Sequence, residues 1–456
     1  MEYFLNEKQK EAVNHFKGPM LVLAGPGSGK TTVVTYRVKN LIEKYSVMPS
    51  KILVITFTKA AATEMSDRFE AMNVLDSRRV TFGTFHALFF RIIRQYYGYK
   101  IESIISEDEK WNFLRNIIRE SEIETDDEDQ YISDFFNETS LMKNELIEIS
   151  DYTAKNMPDN DFKYLYKKYE SYKSRNEKID FDDMLYICYK ILSENDDVLD
   201  MWRSRYKYIL IDEFQDINKA QYECIKMLAS PLNNIFAVGD DDQSIYSFRG
   251  ARPDFMLDFE NNFEGAKKVV LNINYRSTNS IINLSQRVIK HNKDRYEKKI
   301  EGTNRKGEIA ILLKSDNTSK EAELISEKIQ RLNDNGLPLS EIAVIYRTNM
   351  QGGIFARCFN DRKIPYNLKD SILNIYEHFI AKDIIAYMQF SKDITRNSDF
   401  IRIVNKPKRY ISKDTINEAQ KLTGPLIKTI YQLPTLKTYQ EKRIDELLTH
   451  VYQIRK

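Results

Sequence analysis

At 456 residues, with 42% hydrophobic and 12% aromatic side chains and only 15 glycines and 11 prolines, the chain can bury several cores and is no disordered polymer. Its formal net charge of +2 neither requires nor excludes a nucleic-acid partner, so any such contact has to come from local patches. Cys188, Cys224 and Cys358 lack metal-ligand spacing and read as reduced thiols, residues 1–16 contain no apolar signal core, and no run is long enough to span a membrane. A cytoplasmic chain is expected.

In chain order, apolar runs predict buried strands over residues 20–24, 52–57 and 79–82, and amphipathic spacing predicts helices over 31–44, 60–72 and 86–97. Strands alternating with helices imply a parallel sheet covered on both faces. Residues 106–193 are helical in pattern with few strand signals, which suggests a helical subdomain inserted into the sheet domain. The acidic run 122–129 inside it reads as a solvated face. Strand patterns resume over 208–211, 234–238 and 268–271, and the basic stretch 290–306 again reads as a solvated face. A second α/β stretch follows, with strands expected over 308–313 and 341–346 and helices over 320–332 and 350–360. From 369 the pattern is helical to the end.

Chemistry enters at Ala24-Gly25-Pro26-Gly27-Ser28-Gly29-Lys30-Thr31, continued by Thr32. A buried strand, a glycine-rich turn and a helix starting at Lys30 aim backbone N–H groups and a helix dipole at phosphates. In such a P-loop, Lys30 reaches the outer phosphates and the Thr31 hydroxyl holds Mg²⁺. The expected second half of the site is the strand ending in Asp212 and Glu213. There Asp212 would organise Mg²⁺ and Glu213 would polarise an attacking water.

Further motifs occur in one order. They are Leu5-Asn6-Glu7-Lys8-Gln9, Thr56-Phe57-Thr58-Lys59-Ala60-Ala61-Ala62, Gly83-Thr84-Phe85-His86, Asp212-Glu213-Phe214-Gln215-Asp216, Val238 to Tyr246, Asn274-Tyr275-Arg276-Ser277, and Tyr346-Arg347-Thr348-Asn349. Together they resemble the superfamily 1 DNA helicases of the UvrD/Rep/PcrA kind over essentially the whole chain. The resemblance implies an α/β fold of RecA-like P-loop motor domains with inserted helical subdomains. The first motor would span 1–105 and 194–272, with its insertion at 106–193. A partial second motor would span 273–368, and the beginning of a second insertion 369–456.

The resemblance also implies ATP hydrolysis with Mg²⁺, coupled to 3′→5′ movement on single-stranded DNA and at single-strand/duplex junctions. The protein would act as a monomer or weakly self-associating species in DNA repair or replication. Gln9, Arg37 and Tyr275 would hold the adenine side, Gln243 would sense the γ-phosphate, and Arg276 would be an arginine finger. Phe57, Tyr246 and Phe248 would stack bases, while Thr84, His86, Arg249, Arg347 and Asn349 would contact the strand.

Two motifs of the family, one with a Thr-x-His…Lys-Gly-x-Glu pattern and one with an arginine in a Thr-Arg-Ala context, are not found beyond Arg347. Residues 369–411, including Glu377-His378-Phe379 and Asn405-Lys406-Pro407-Lys408-Arg409, resemble the start of the second insertion. The expectation is therefore an N-terminal portion truncated within that insertion and poorly active alone. The alternatives are a translocase that strips proteins from single strands and a non-catalytic module that binds ATP and DNA. No nuclease carboxylate cluster is recognisable.

Overall fold

A computed structural model describes residues 5–455 apart from 122, 124, 126, 304, 370–375 and 377. It divides into two compact units, 1–310 and 311–456.

The first unit opens with helix α1 (Glu7–Asn14), strand β1 (Met20–Ala24), α2 (Lys30–Glu43), β2 (Ile52–Thr56), α3 (Lys59–Glu70), β3 (Thr81–Thr84) and α4 (Phe85–Tyr97). It continues through α5 (Glu107–Glu120), α6 (Glu128–Asn144), α7 (Asp159–Arg175), α8 (Phe181–Glu194), α9 (Asp196–Arg205), β4 (Tyr208–Ile211), α10 (Lys219–Ala229) and β5 (Ile235–Gly239). The last elements are α11 (Asp254–Leu257), α12 (Phe259–Asn262), β6 (Lys267–Leu271), β7 (Ile273–Asn274), α13 (Asn279–Ile289) and β8 (Glu301–Gly302).

Six strands form one parallel sheet in the order β3-β2-β4-β5-β1-β6. Every residue of β1, β2 and β5 is buried, because a parallel sheet has helices on both faces. Alternation sorts the side chains. Leu21, Leu23, Leu53, Ile55, Ile209 and Ile211 face the core built with α4, α8, α9 and α10. Val22, Val54, Leu210, Phe236 and Val238 face the core built with α1, α2 and α3. All the strands run the same way, so their carboxyl ends share one edge, the edge where α/β sheets bind ligands.

Helices α5 to α7 enclose a core of their own around Leu114, Phe135, Phe162 and Tyr169, whereas α8 packs under the sheet through Met184, Leu185, Cys188 and Leu192. A buried ion network ties the two together. Lys143 pairs with Glu170 at 2.7 Å and Asp183 at 2.5 Å, and Lys173 pairs with Asp180 at 3.0 Å and Asp183 at 2.6 Å. In the acidic run, Glu122, Glu124 and Asp126 lie outside the described residues. Asp127 caps α6 by accepting from Asp129 N and Gln130 N, and Arg115 pairs with Asp129 at 2.8 Å.

The second unit holds α14 (Thr318–Asp334) and α15 (Asn349–Asp361), packed through Ala322, Ile329, Phe355 and Phe359. A separate helical cluster comprises α16 (Phe379–Lys392), α17 (Asn397–Ile403), α18 (Lys413–Gln420), α19 (Leu426–Thr429) and α20 (Thr438–Arg455). The strands expected over 308–313 and 341–346 do not form. Ile309, Leu312 and Ile345 are 86%, 83% and 93% exposed, and neither run joins a ladder among the described residues. An apolar run becomes a strand only when a neighbour takes up its N–H and C=O groups, and here none does. Of the insertion motifs, Glu377 lies outside the described residues. Arg409 is buried, donating to the carbonyls of Ile403, Val404 and Pro407. No helix among the described residues is long and apolar enough to cross a membrane.

Candidate nucleotide and strand-binding site

The turn after β1 is shaped for an anion. Gly29 caps α2 in the left-handed region, φ 89°, with no side-chain cap, so the first-turn N–H groups of α2 stay free for a ligand. Ser28 closes the loop by donating to Gly25 O at 2.7 Å. Gly27 has φ 64°, and a Cβ there would lie 2.6 Å from Arg276 Cβ and 2.7 Å from Asn274 Oδ1. Only a glycine lets the segment after β7 lie this close. Tyr275 N donates to Gly27 O at 3.0 Å, and Asn274 Oδ1 accepts from Arg276 N and Ser277 N, which sets Arg276 beside the loop. On the α1 side, Gln9 Nε2 donates to Ser28 O at 2.9 Å and Asn6 Nδ2 to Tyr275 OH at 2.8 Å. Gln9, Tyr275, Arg276 and the loop from Ala24 to Thr32 thus come together.

Across the sheet edge, Lys30 Nζ lies 2.7 Å from Glu213 Oε2. Asp212, directly after β4, is buried, and its Oδ1 has no hydrogen-bond partner among the described residues. Burial first, and the charge of Glu213 second, push its carboxyl up to about 6, with Lys30 opposing. Asp216 is raised to about 6 by the same two causes. Gln215 Nε2 bridges Glu213 Oε2 at 2.9 Å and Asp216 Oδ2 at 3.2 Å, while its Oε1 accepts from Asp240 N at 3.0 Å. Gln243 Nε2 reaches Asp240 Oδ2 at 2.7 Å. One polar chain therefore runs along the carboxyl ends of β4 and β5. Asp212 and Thr31 offer hard oxygen donors, and no cluster of three or more His, Cys, Asp or Glu forms a metal cage among the described residues. That donor set suits Mg²⁺, which takes one or two carboxylates and completes its shell with water and phosphate.

Beside the polar chain lies an aromatic surface. Phe57 stacks on Tyr246, centroids 5.1 Å apart, and Tyr246 lies 6.2 Å from Phe248, which is 77% exposed. The Arg249 guanidinium lies 5.6 Å and 5.5 Å from the two latter rings. Thr84 caps α4 through Ala87 N. His86 packs edge-on to Phe181 at 5.6 Å, and burial lowers its pKa.

The family model for the UvrD/REP helicase N-terminal domain matches residues 5–264, and that for the UvrD-like helicase C-terminal domain matches 269–452. The chain belongs to the UvrD/REP helicase family. It is 34% identical over 473 residues to the Bacillus subtilis protein YjcD, covering 99% of this chain and 60% of that one. It is 33% identical over 425 residues to the ATP-dependent DNA helicase PcrA of Staphylococcus epidermidis, covering 91% and 58%. To PcrA of Leuconostoc citreum it is 34% identical over 432 residues, covering 92% and 57%. The chain thus spans about 60% of the length of the curated relatives it matches. The C-terminal match runs to residue 452, so the expected truncation inside a second insertion gains no support.

Arg37 is placed away from the other UvrD-type residues. It is 2% exposed, its Nη2 donates to Phe16 O at 3.2 Å, and its guanidinium lies 4.7 Å from the Phe236 ring. Two turns into α2, about 10 Å along the axis from Lys30, Arg37 packs against β5 rather than at the loop mouth, and burial lowers the group to about 9. Arg347 and Asn349 are exposed at the start of α15 in the second unit. The motifs that contain Asn274 and Gln215 gave these two residues no role, yet their side-chain amides fix their neighbours through hydrogen bonds. The sequence reading also placed the whole stretch 290–306 at a solvated face, yet Lys298 is buried and Arg295 half-buried, both on the acids after β5. Three consecutive aspartates, Asp240 to Asp242, were the available signal that cations had to be near.

Proposed function

We propose that this chain is the ATP-hydrolysing, strand-gripping part of a DNA helicase that moves 3′→5′ along single-stranded DNA and acts at single-strand/duplex junctions. The observation that carries the reading is the Lys30–Glu213 pair at 2.7 Å beside the buried Asp212, whose Oδ1 has no hydrogen-bond partner among the described residues, on the sheet edge whose loops also carry the Phe57–Tyr246–Phe248 surface. In this reading the free N–H groups of α2 and Lys30 hold the phosphates, and Asp212 and Thr31 hold Mg²⁺, which neutralises phosphate charge. Glu213 accepts the proton of the attacking water once Lys30 has moved to the phosphates. Gln9 and Tyr275 hold the base, Arg276 places its charge on the transferring phosphoryl group, and Gln243 reports the phosphate's presence to the aromatic loop.

The proposed layout is a first motor at 1–105 and 194–272, an inserted subdomain at 106–193, a second motor from 273, and a second insertion from 369. The chain works as a monomer or weakly self-associating species. ATP turnover measured with and without oligo(dT) tests this. Turnover should rise with the oligonucleotide and vanish in Lys30→Ala. Turnover indifferent to both would remove the reading.

A further inference from the structure

Three carboxylates in succession repel one another unless cations lie between them. After β5, residues 295–298 supply those cations. Lys298 has a fully buried side chain, and its Nζ lies 2.6 Å from Asp240 Oδ1 and 3.0 Å from Asp242 Oδ2, with a further bond to Asp241 Oδ1. Arg295 forks onto Asp242 at 2.6 and 2.7 Å, and Tyr296 N donates to Asp241 Oδ2 at 2.7 Å. Burial works against the Lys298 charge, yet the field and hydrogen bonds of Asp240 and Asp241 raise its pKa.

The two oxygens of Asp240 face different ways. Oδ1 takes Lys298 and Oδ2 takes Gln243 Nε2. The backbone N–H of Asp240 meanwhile orients Gln215, whose Nε2 reaches Glu213. Lys298 therefore sits at a node. One branch leads to Glu213, and the other to Gln243 and the loop bearing Tyr246 and Phe248. The same segment continues into the nucleotide side. Ile300 is the nearest atom group to the open face of Gly25, and Glu301 in β8 pairs with Ile273 in β7, which leads to Tyr275 and Arg276 on the P-loop.

We propose that Lys298, assisted by Arg295, is a positioning clamp that couples strand binding at the aromatic loop to the nucleotide side of the site by fixing Asp240. The proposal rests on the DNA-stimulated ATPase reading above. Hydrogen-bond and ion-pair networks that link two sites can carry coupling of this kind, and mutations along them modulate it.

The test is ATP turnover over an ATP titration, with and without oligo(dT), for the whole chain and for Lys298→Met and Arg295→Gln. Lys298→Met should lower the ratio of stimulated to unstimulated kcat by about tenfold or more with the ATP KM within about threefold, and Arg295→Gln should lower it about two- to fivefold. A proportional fall in both rates, leaving the ratio at its unaltered value, would mean a structural role only and overturn the proposal. If Lys298→Met does not fold, Arg295→Gln decides alone: a reduced ratio supports the clamp and an unchanged ratio overturns it. An unaltered chain without stimulation sinks the ATPase reading instead. Amide exchange over residues 240–249 then decides the clamp: faster exchange in Arg295→Gln with β2 still protected supports it, and unchanged exchange rejects it.

Discussion

Replacing Asp212 by Asn separates what this carboxylate does to the fold from what it does for the site. The residue is 8% exposed, one oxygen has no partner, and burial followed by the Glu213 charge moves its carboxyl from 3.8 to about 6. Between about pH 4 and pH 6 the folded protein therefore holds a proton that the unfolded chain has lost. The contribution of this group to stability is full below that window and falls as pH rises through it. At about 1.4 kcal/mol per unit, the ionised carboxylate costs the first unit at most about 3 kcal/mol above the window. An amide removes the charge but brings an NH₂ group that needs a partner, returning about 1–2 kcal/mol of that relief. Asp212→Asn should thus be more stable by about 1–2 kcal/mol at about pH 8, a few degrees in midpoint, and no more stable at about pH 4. ATP turnover should fall at least about a hundredfold. Thermal unfolding without nucleotide or Mg²⁺ at the two pH values reads the first effect. A variant less stable at the higher pH, or equally stabilised at both, would refute the reasoning.

Lys30→Ala should lower turnover by about a hundredfold or more while leaving single-strand binding in place, as measured by fluorescence anisotropy with labelled oligo(dT). Phe248→Ala removes a 77% exposed ring, so the unfolding midpoint should hold while strand affinity falls by about 1–3 kcal/mol, roughly five- to 150-fold in Kd. Arg37→Met should leave ATP affinity within about twofold and stability unchanged or improved, because two guanidinium nitrogens are buried without partners and an apolar chain of similar length fills the same space. A large loss of ATP affinity in that variant would return Arg37 to the nucleotide.

The parts of this fold that sequence shows are those where local pattern and tertiary environment agree. Val22, Val54 and Leu210 sit in unbroken apolar runs, and such runs mean a strand when helices cover both faces. The glycines before Lys30 and the acids after Ile211 mark the ends of such strands, so the phosphate loop and its carboxylates are legible too. The runs around Leu312 and Ile345 carry the same local signal and fail, because pairing is a property of neighbours rather than of the run. The two-residue strands β7 and β8 are too short to show any period. Lys298 could not be singled out because its partners precede it by more than 50 residues, and in Lys298-Lys299 the buried and the exposed lysine look alike. Arg37 misleads for the opposite reason. It shares the helix face of Lys30, but two turns carry it about 10 Å further along α2 and under the sheet, where a guanidinium is not expected without a motif to announce it.

The 2.7 Å bond between Lys30 and Glu213 has a consequence for specificity. Each partner is the other's inhibitor. While they hold one another, Glu213 Oε2 is shared between Lys30 Nζ and Gln215 Nε2, and the ammonium is not free to attract stray anions. A ligand that fills the loop without drawing the ammonium away would leave the carboxylate disarmed. On the roles proposed above, the bond would work as an interlock, in which the substrate's own charge is the key that releases the base.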